Sequence, residues 1–251
     1  MIDDRKQREK DFHDERFSGD DKIRKNASKY YSITQESSSF YKNLILRYCE
    51  NKQLLEYGCG AGSNTIFWVQ NRAIVTSIDI STEGIKKAKE NVLKKGVYAD
   101  FFVMDAENLK FESNSFDIVV GTGILHHLDL SKSFSELSRV LREDGHAIFY
   151  EPLGHNIFIN LYRKITPVMR TVDEQPFLMK DIELAKEYFM NVEATFFNLF
   201  TLLAVPFRNG RFFKFFLGFL RLIDKNLIFF FPFVKKYTWI VILDLSKPRK
   251  I

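Results

Sequence analysis

The chain has 251 residues, enough for one domain with insertions or one domain plus a small appendage. Hydrophobic residues make up 45% and charged residues 27%, which argues against disorder and permits a packed core. A net charge of +5 allows an anionic partner without requiring one, and two cysteines, Cys49 and Cys59, exclude a disulfide framework and fit a reducing cytoplasm.

Residues 1–50 read as an N-terminal helical cap. The first thirty are polar and charged, helical in part, with Phe12 and Phe17 as apolar anchors. Met1 to Lys10 carries no apolar stretch, so no secretory signal is expected there. Residues 37–49 read as an amphipathic helix leading into the first strand. Strands are predicted at 53–57, 74–79, 100–104, 116–121 and 146–151. Helices are predicted near 63–71, 82–95 and 131–142, with a short turn at 106–109. This alternation implies a parallel sheet wound on both faces, in a core placed at 51–205. Beyond Glu151 and Pro152 the rhythm breaks. Helices are expected at 156–170 and 180–190, with a polar break from Thr171 to Pro176, and long strands at 192–203 and 237–245. The last of these opens the closing segment, 237–251.

About thirty residues separate the two final strands, far more than a hairpin needs. This insertion, 206–236, is rich in Phe and basic residues. Thirteen of the 26 Phe lie between Phe196 and Phe233, and from Pro206 onward ten Lys and Arg face only Asp224 and Asp244. Three uses are open: a subdomain packed over the site, an interfacial surface on anionic lipid through 207–236, or a homodimer contact. No run reaches the roughly 18 uncharged apolar residues a spanning helix needs.

The most informative stretch is Leu-Leu-Glu-Tyr-Gly-Cys-Gly-Ala-Gly at 54–62. A buried strand runs into glycines at alternate positions, Gly58, Gly60 and Gly62, a turn whose bare backbone lets a ligand approach closely. Ser63 or Asn64 is placed to cap the helix that follows. The spacing E-x-G-x-G-x-G differs from the G-x-G-x-x-G of dinucleotide binders. With this turn the chain resembles the class I S-adenosylmethionine-dependent methyltransferases.

The resemblance implies an α/β fold: a doubly wound, mostly parallel seven-stranded sheet with an antiparallel edge strand. The Phe-rich insertion, expected to be helical, falls before the last strand. It implies S-adenosylmethionine as cofactor, held at the carboxyl ends of the strands. Glu56 would hold the methionine end beside Gly58, Cys59 and Gly60. Asp79, closing the second strand, would accept the ribose hydroxyls, with Ile80 packed on adenine. Asp105 would take the adenine amino group, with Ala106 supplying backbone contact. Tyr31, or its neighbour Tyr30, stands where relatives place an aromatic lid. The matched region runs from about Leu54 to Glu151.

Residues 116–129, Phe-Asp-Ile-Val-Val-Gly-Thr-Gly-Ile-Leu-His-His-Leu-Asp, resemble the reacting end of small-molecule methyltransferases of the ubiquinone and menaquinone type. Gly121 and Thr122 would lie against the methionine moiety. Imidazole can take a proton from a hydroxyl near neutral pH. His126 is expected to face the site and His127 to pack structurally. After the fifth strand, Glu151, His155 and Asn156 are candidates for substrate contact, with His155 a second candidate base. His13 reads as a surface residue, closure over the site being the other reading. No metal is expected, because no third ligand at sensible spacing is visible.

The [DN]-P-P-[YF] motif of aminopurine methyltransferases is absent here, and neither cysteine stands near the reacting loop. Both absences argue against nucleic acid as substrate. The expected activity is methyl transfer to a small-molecule or lipid-linked acceptor, at oxygen first, with nitrogen or carbon as alternatives. A nicotinamide oxidoreductase or a non-catalytic peripheral membrane protein that binds S-adenosylmethionine are the rival classes. The expected location is cytoplasmic, or peripheral at a membrane.

Overall fold

The computed structural model describes residues 4–19, 32–165 and 175–250. Seven strands form one sheet in the order β3-β2-β1-β4-β5-β7-β6. They are β1 (Gln53–Tyr57), β2 (Ile74–Asp79), β3 (Asp100–Val103), β4 (Phe116–Thr122), β5 (Leu141–Pro152), β6 (Phe189–Phe197) and β7 (Ile240–Pro248). The first five run parallel, and β7 pairs antiparallel with both β5 and β6. The doubly wound sheet with its antiparallel edge strand is therefore as expected.

The helices are α1 (Asp4–Ser18), α2 (Gln35–Leu46), α3 (Ser63–Gln70), α4 (Thr82–Lys94), α5 (Leu130–Val140), α6 (Ile157–Ile165), α7 (Met179–Tyr188) and α8 (Phe213–Phe230). Strand alternation sorts the core into two layers. Leu54, Ile118 and Ile148 pack with Tyr41, Ile45 and Trp68 on one face of the sheet. Leu55, Val119 and Phe149 pack with Phe134, Leu137 and Ala185 on the other. Local chemistry fixes the helix starts: Ser81 accepts from Gly84 N at 2.9 Å to cap α4, and Asp129 accepts from Lys132 N at 3.2 Å to cap α5.

Four readings need correction. Helix α3 is capped by neither Ser63 nor Asn64; Gly62 precedes it in the left-handed region, φ +78°, and makes no side-chain cap. Strand β6 ends at Phe197, because Asn198 turns the chain at φ +66° and the next three amides point at Asp224. β7 begins three residues later than read. β5 starts earlier, at Leu141, with a register irregularity against β4 between Phe116 and Ile118. Most of the polar break, with the end of the helix read at 156–170, lies outside the described residues.

The parallel strands all deliver their carboxyl ends to one edge of the sheet. Because β7 is antiparallel, its first residue, Ile240, lies opposite Pro152 at that same edge. The long β6–β7 connection therefore emerges beside the carboxyl ends. It is helical, as expected. The 3-10 segment Thr201–Phe207 packs against α8, and a second 3-10 segment, Pro232–Tyr237, leads into β7. No helix among the described residues is long and apolar enough to cross a membrane.

Candidate active site

A cleft of about 470 Å³ opens at the carboxyl edge, within the range of small-molecule sites. The glycine turn forms its floor. Gly60 holds φ +51° and donates its N–H to Asp79 Oδ2 at 2.7 Å. A Cβ there would lie 2.9 Å from the Phe17 ring. Gly121 is tighter still: a Cβ would meet Phe149 at 2.6 Å. Gly58, Cys59 and Thr122 line the same cleft. Burial pushes the Cys59 thiol well up, so it is no nucleophile at neutral pH.

Three carboxylates stand at three successive strand ends. Glu56 is buried and accepts from Ser77 Oγ at 3.0 Å and from Thr65 Oγ1. Burial raises its pKa to about 7, against the pull of those two hydroxyls. Asp79 accepts from Gly60 N and from Ser81 N, and burial raises it as well. Asp105 accepts from Glu107 N at 2.8 Å and pairs with Lys6 Nζ at 2.5 Å. Ile80 lines the cleft between them, as does Ala106, whose carbonyl accepts from Tyr57 OH at 3.0 Å.

The 3-10 turn Leu125–His127 carries both adjacent histidines, and both line the cleft. His126 Nδ1 lies 2.7 Å from Glu151 Oε2. Glu151 is fully buried at the end of β5, and its other oxygen accepts from Ile124 N and Leu125 N, each at 2.9 Å. A carboxylate so placed holds Nδ1 as the donor and makes Nε2 the accepting nitrogen. Glu151 thus fixes the His126 ring from inside the protein. His127 turns instead toward α1, with Nδ1 3.2 Å from Glu9 Oε2.

Helix α1 roofs the cleft. Arg5, Lys6, Glu9, Phe12, His13, Arg16 and Phe17 line it, one face of a helix by their spacing. Arg5 pairs with Glu107 and donates to the His127 carbonyl at 2.8 Å, while Asp14 accepts from Ser81 Oγ at 2.6 Å and Glu83 N at 3.0 Å. His13, read as a surface residue, lies in this roof, and burial lowers its pKa to about 4, with His127 and Arg16 acting the same way. The positions 5, 6, 9, 12, 13, 16 and 17 carried the signal for this roof, but their mostly polar character hid it.

The remaining candidates stand elsewhere. The structure places His155 outside the cleft: Leu153 bridges to Phe177, Gly154 N donates to Phe177 O, and His155 Nε2 accepts from Met179 N at 3.5 Å. Asn156 donates to the Tyr237 carbonyl and accepts from Ile159 N, anchoring the start of α6. Tyr30 and Tyr31 lie outside the described residues.

Residues 55–149 match a family model described as a methyltransferase domain. This segment is a class I S-adenosylmethionine-dependent methyltransferase domain. An uncharacterized protein of Methanocaldococcus jannaschii is 32% identical to the chain over 131 residues, 48% of this chain and 49% of that protein. A phthiotriol/phenolphthiotriol dimycocerosates methyltransferase of Mycobacterium tuberculosis is 36% identical over 98 residues, 38% of this chain and 36% of that protein. The chain thus spans half the length, or less, of these curated relatives. Phosphoethanolamine N-methyltransferase 2 of Haemonchus contortus, solved with S-adenosyl-L-methionine, superposes with a TM-score of 0.61 at 19% identity. That likeness covers 84% of this chain and 53% of the other, and it is a likeness of fold.

S-adenosylmethionine is the cofactor of such a methyltransferase domain. The residues present fit it. The buried carboxylate of Glu56 beside the glycine turn suits its ammonium. Each Asp79 oxygen keeps a lone pair beyond its amide partner, suiting a diol. At Gly60 a Cβ would press on the Phe17 ring, so the turn presents bare backbone to the cleft.

Proposed function

We propose that this chain transfers a methyl group from S-adenosylmethionine to a hydroxyl oxygen of an apolar, lipid-linked acceptor, with His126 as the base. The observation that carries this reading is the His126–Glu151 contact at 2.7 Å within the cleft of the methyltransferase domain. The cofactor supplies an electrophilic methyl carbon. The glycine turn and the three strand-end carboxylates hold it. His126 Nε2 takes the acceptor's hydroxyl proton as the oxygen bonds to the methyl carbon; the carbon–sulfur bond breaks, a neutral thioether nucleoside leaves, and solvent later receives the proton. Glu151 keeps the imidazole in the accepting tautomer and stabilises it once protonated. His127 is assigned to the roof rather than to proton transfer, and His155 to the start of α7.

Two features support an apolar acceptor over a nucleic acid. Trp239, which packs against Leu217 and Leu220 of the Phe-rich insertion, lines the cleft with Ile240, and one relative's name specifies phthiotriol dimycocerosates as acceptor. The same insertion supports peripheral contact with an anionic membrane, from which such an acceptor would enter the cleft.

Calorimetry with S-adenosylmethionine, followed by transfer of labelled methyl to a lipid extract, tests the reading. His126→Ala should reduce turnover by about a hundredfold or more with cofactor affinity nearly unchanged, and Glu151→Gln should act in the same direction. Absence of cofactor heat, or full turnover in His126→Ala, would overturn it.

A further inference from the structure

The roof and the reacting turn meet at a cluster that methyl transfer does not use. Glu9 and His13 stand four residues apart on α1, so both face the cleft. His127 rises to meet them from the 3-10 turn below. Glu9 Oε2 lies 3.2 Å from His127 Nδ1 and 3.6 Å from His13 Nε2, and all three donor atoms lie within 4.8 Å of one another. A tetrahedral ion with ligands at about 2.0–2.1 Å separates those ligands by roughly 3.3 Å, close to both measured distances.

We propose that Glu9, His13 and His127 form a binding site for a divalent transition-metal ion of the zinc type. Two imidazoles and one carboxylate are donors such ions prefer to the oxygen-only shells of calcium and magnesium. The cluster is pre-shaped. Glu9 is buried, His13 sits edge-on to Phe12 and stacks on Phe17, and the Arg5 guanidinium holds the His127 carbonyl at 2.8 Å. The nearby cations Arg5 and Lys6 are engaged by Glu107 and Asp105. Arg16, which also lines this end of the cleft, is the charge the site must tolerate.

Three protein ligands leave a fourth position open, the pattern of catalytic rather than structural zinc. All three residues line the cleft, so water from it can complete the coordination. The ion would also clip α1 to the core, joining positions 9 and 13 to a turn more than a hundred residues away. The expectation of no metal rested on sequence spacing, and the third ligand arrives only through the fold. Metal binding here does not depend on methyl transfer occurring.

The purified full chain, stripped of metal and titrated with Co²⁺ and with Zn²⁺, tests this. The expected results are visible ligand-field absorption saturating near one Co²⁺ per chain and a rise in Tm with Zn²⁺ through linkage. His13→Ala and His127→Ala should each lose both signals. Glu9→Gln, which keeps the shape of the cluster, should weaken binding beyond the roughly tenfold to hundredfold cost of losing an outer-shell partner. A cooperative melt of each metal-free variant shows that it is folded, and S-adenosylmethionine heat from metal-free wild type separates a failure here from a failure of the methyltransferase reading. Folded wild type with neither absorption nor a Tm shift would overturn the proposal, leaving a hydrogen-bonded clasp only. Undiminished metal responses in both histidine variants would overturn it as well.

Discussion

Glu56 is held in a condition that water would not allow. Burial keeps its proton on up to about pH 7, although Thr65 and Ser77 both donate to it. In the unfolded chain that proton leaves near 4.5. Folding therefore binds a proton between those values, and the stability Glu56 contributes falls as pH rises across the window. A cofactor ammonium beside it favours the ionised form, so binding should release the proton. The Kd for S-adenosylmethionine should then fall as pH rises from 5.5 to 7, by at most about tenfold per pH unit. Glu56→Gln should bind more weakly and lose that slope. Calorimetry across the range checks this, and an unchanged slope in the variant would remove Glu56 from the binding step.

At the scale of elements, the β6–β7 connection depends on one buried acid. Asp224 on α8 accepts from Leu199 N at 2.9 Å, Phe200 N at 2.7 Å and Thr201 N at 3.3 Å. It ties the start of the 3-10 segment to the helix, while Leu217 and Leu220 pack against Leu202, Ala204 and Val205. Asp224→Ala would leave buried amides without their acceptor, at a cost of about 1–3 kcal/mol. For a chain of this size Tm should drop by about 2–4 °C per kcal/mol. Hydrogen exchange should quicken at residues 199–205 before it does in the central strands. Uniform loss of protection would show that Asp224 serves the whole core instead.

Over the whole molecule, the outer stripe of α8 is the largest departure from an ordinary soluble surface. Phe212, Phe215, Phe219, Leu222 and Phe229 recur at helical spacing and stay exposed, Phe215 to 79%. Phe230 and Phe233 continue the patch. Arg208, Arg211, Lys214, Lys225, Lys235 and Lys236 flank these residues in the sequence, and the one acid of the insertion, Asp224, is buried. Apolar side chains flanked by unopposed cations match an anionic lipid surface. The protein should float with anionic vesicles and much less with neutral ones, and Phe215→Ser with Phe219→Ser should abolish flotation while leaving S-adenosylmethionine heat intact. Equal flotation with both lipids, or a dimer in light scattering that the double variant dissolves, would replace lipid with another occupant.

The parallel core, the glycine turn and the three acids at strand ends were legible in the order of residues alone. Each depends on local causes: apolar runs of strand length, the backbone freedom of glycine, and a carboxylate fixed at the point where its strand stops. The insertion was legible too, because composition needs no fold to be read. That Glu151 orients His126, that α1 roofs the cleft and that His155 stands apart came from packing between distant segments. So did the burial of one apolar stripe of α8 and the exposure of another. These depend on contacts between residues 25 to more than 100 positions apart, or on which side of a helix finds a neighbour. The periodicity of one segment carries no record of the segment that packs on it.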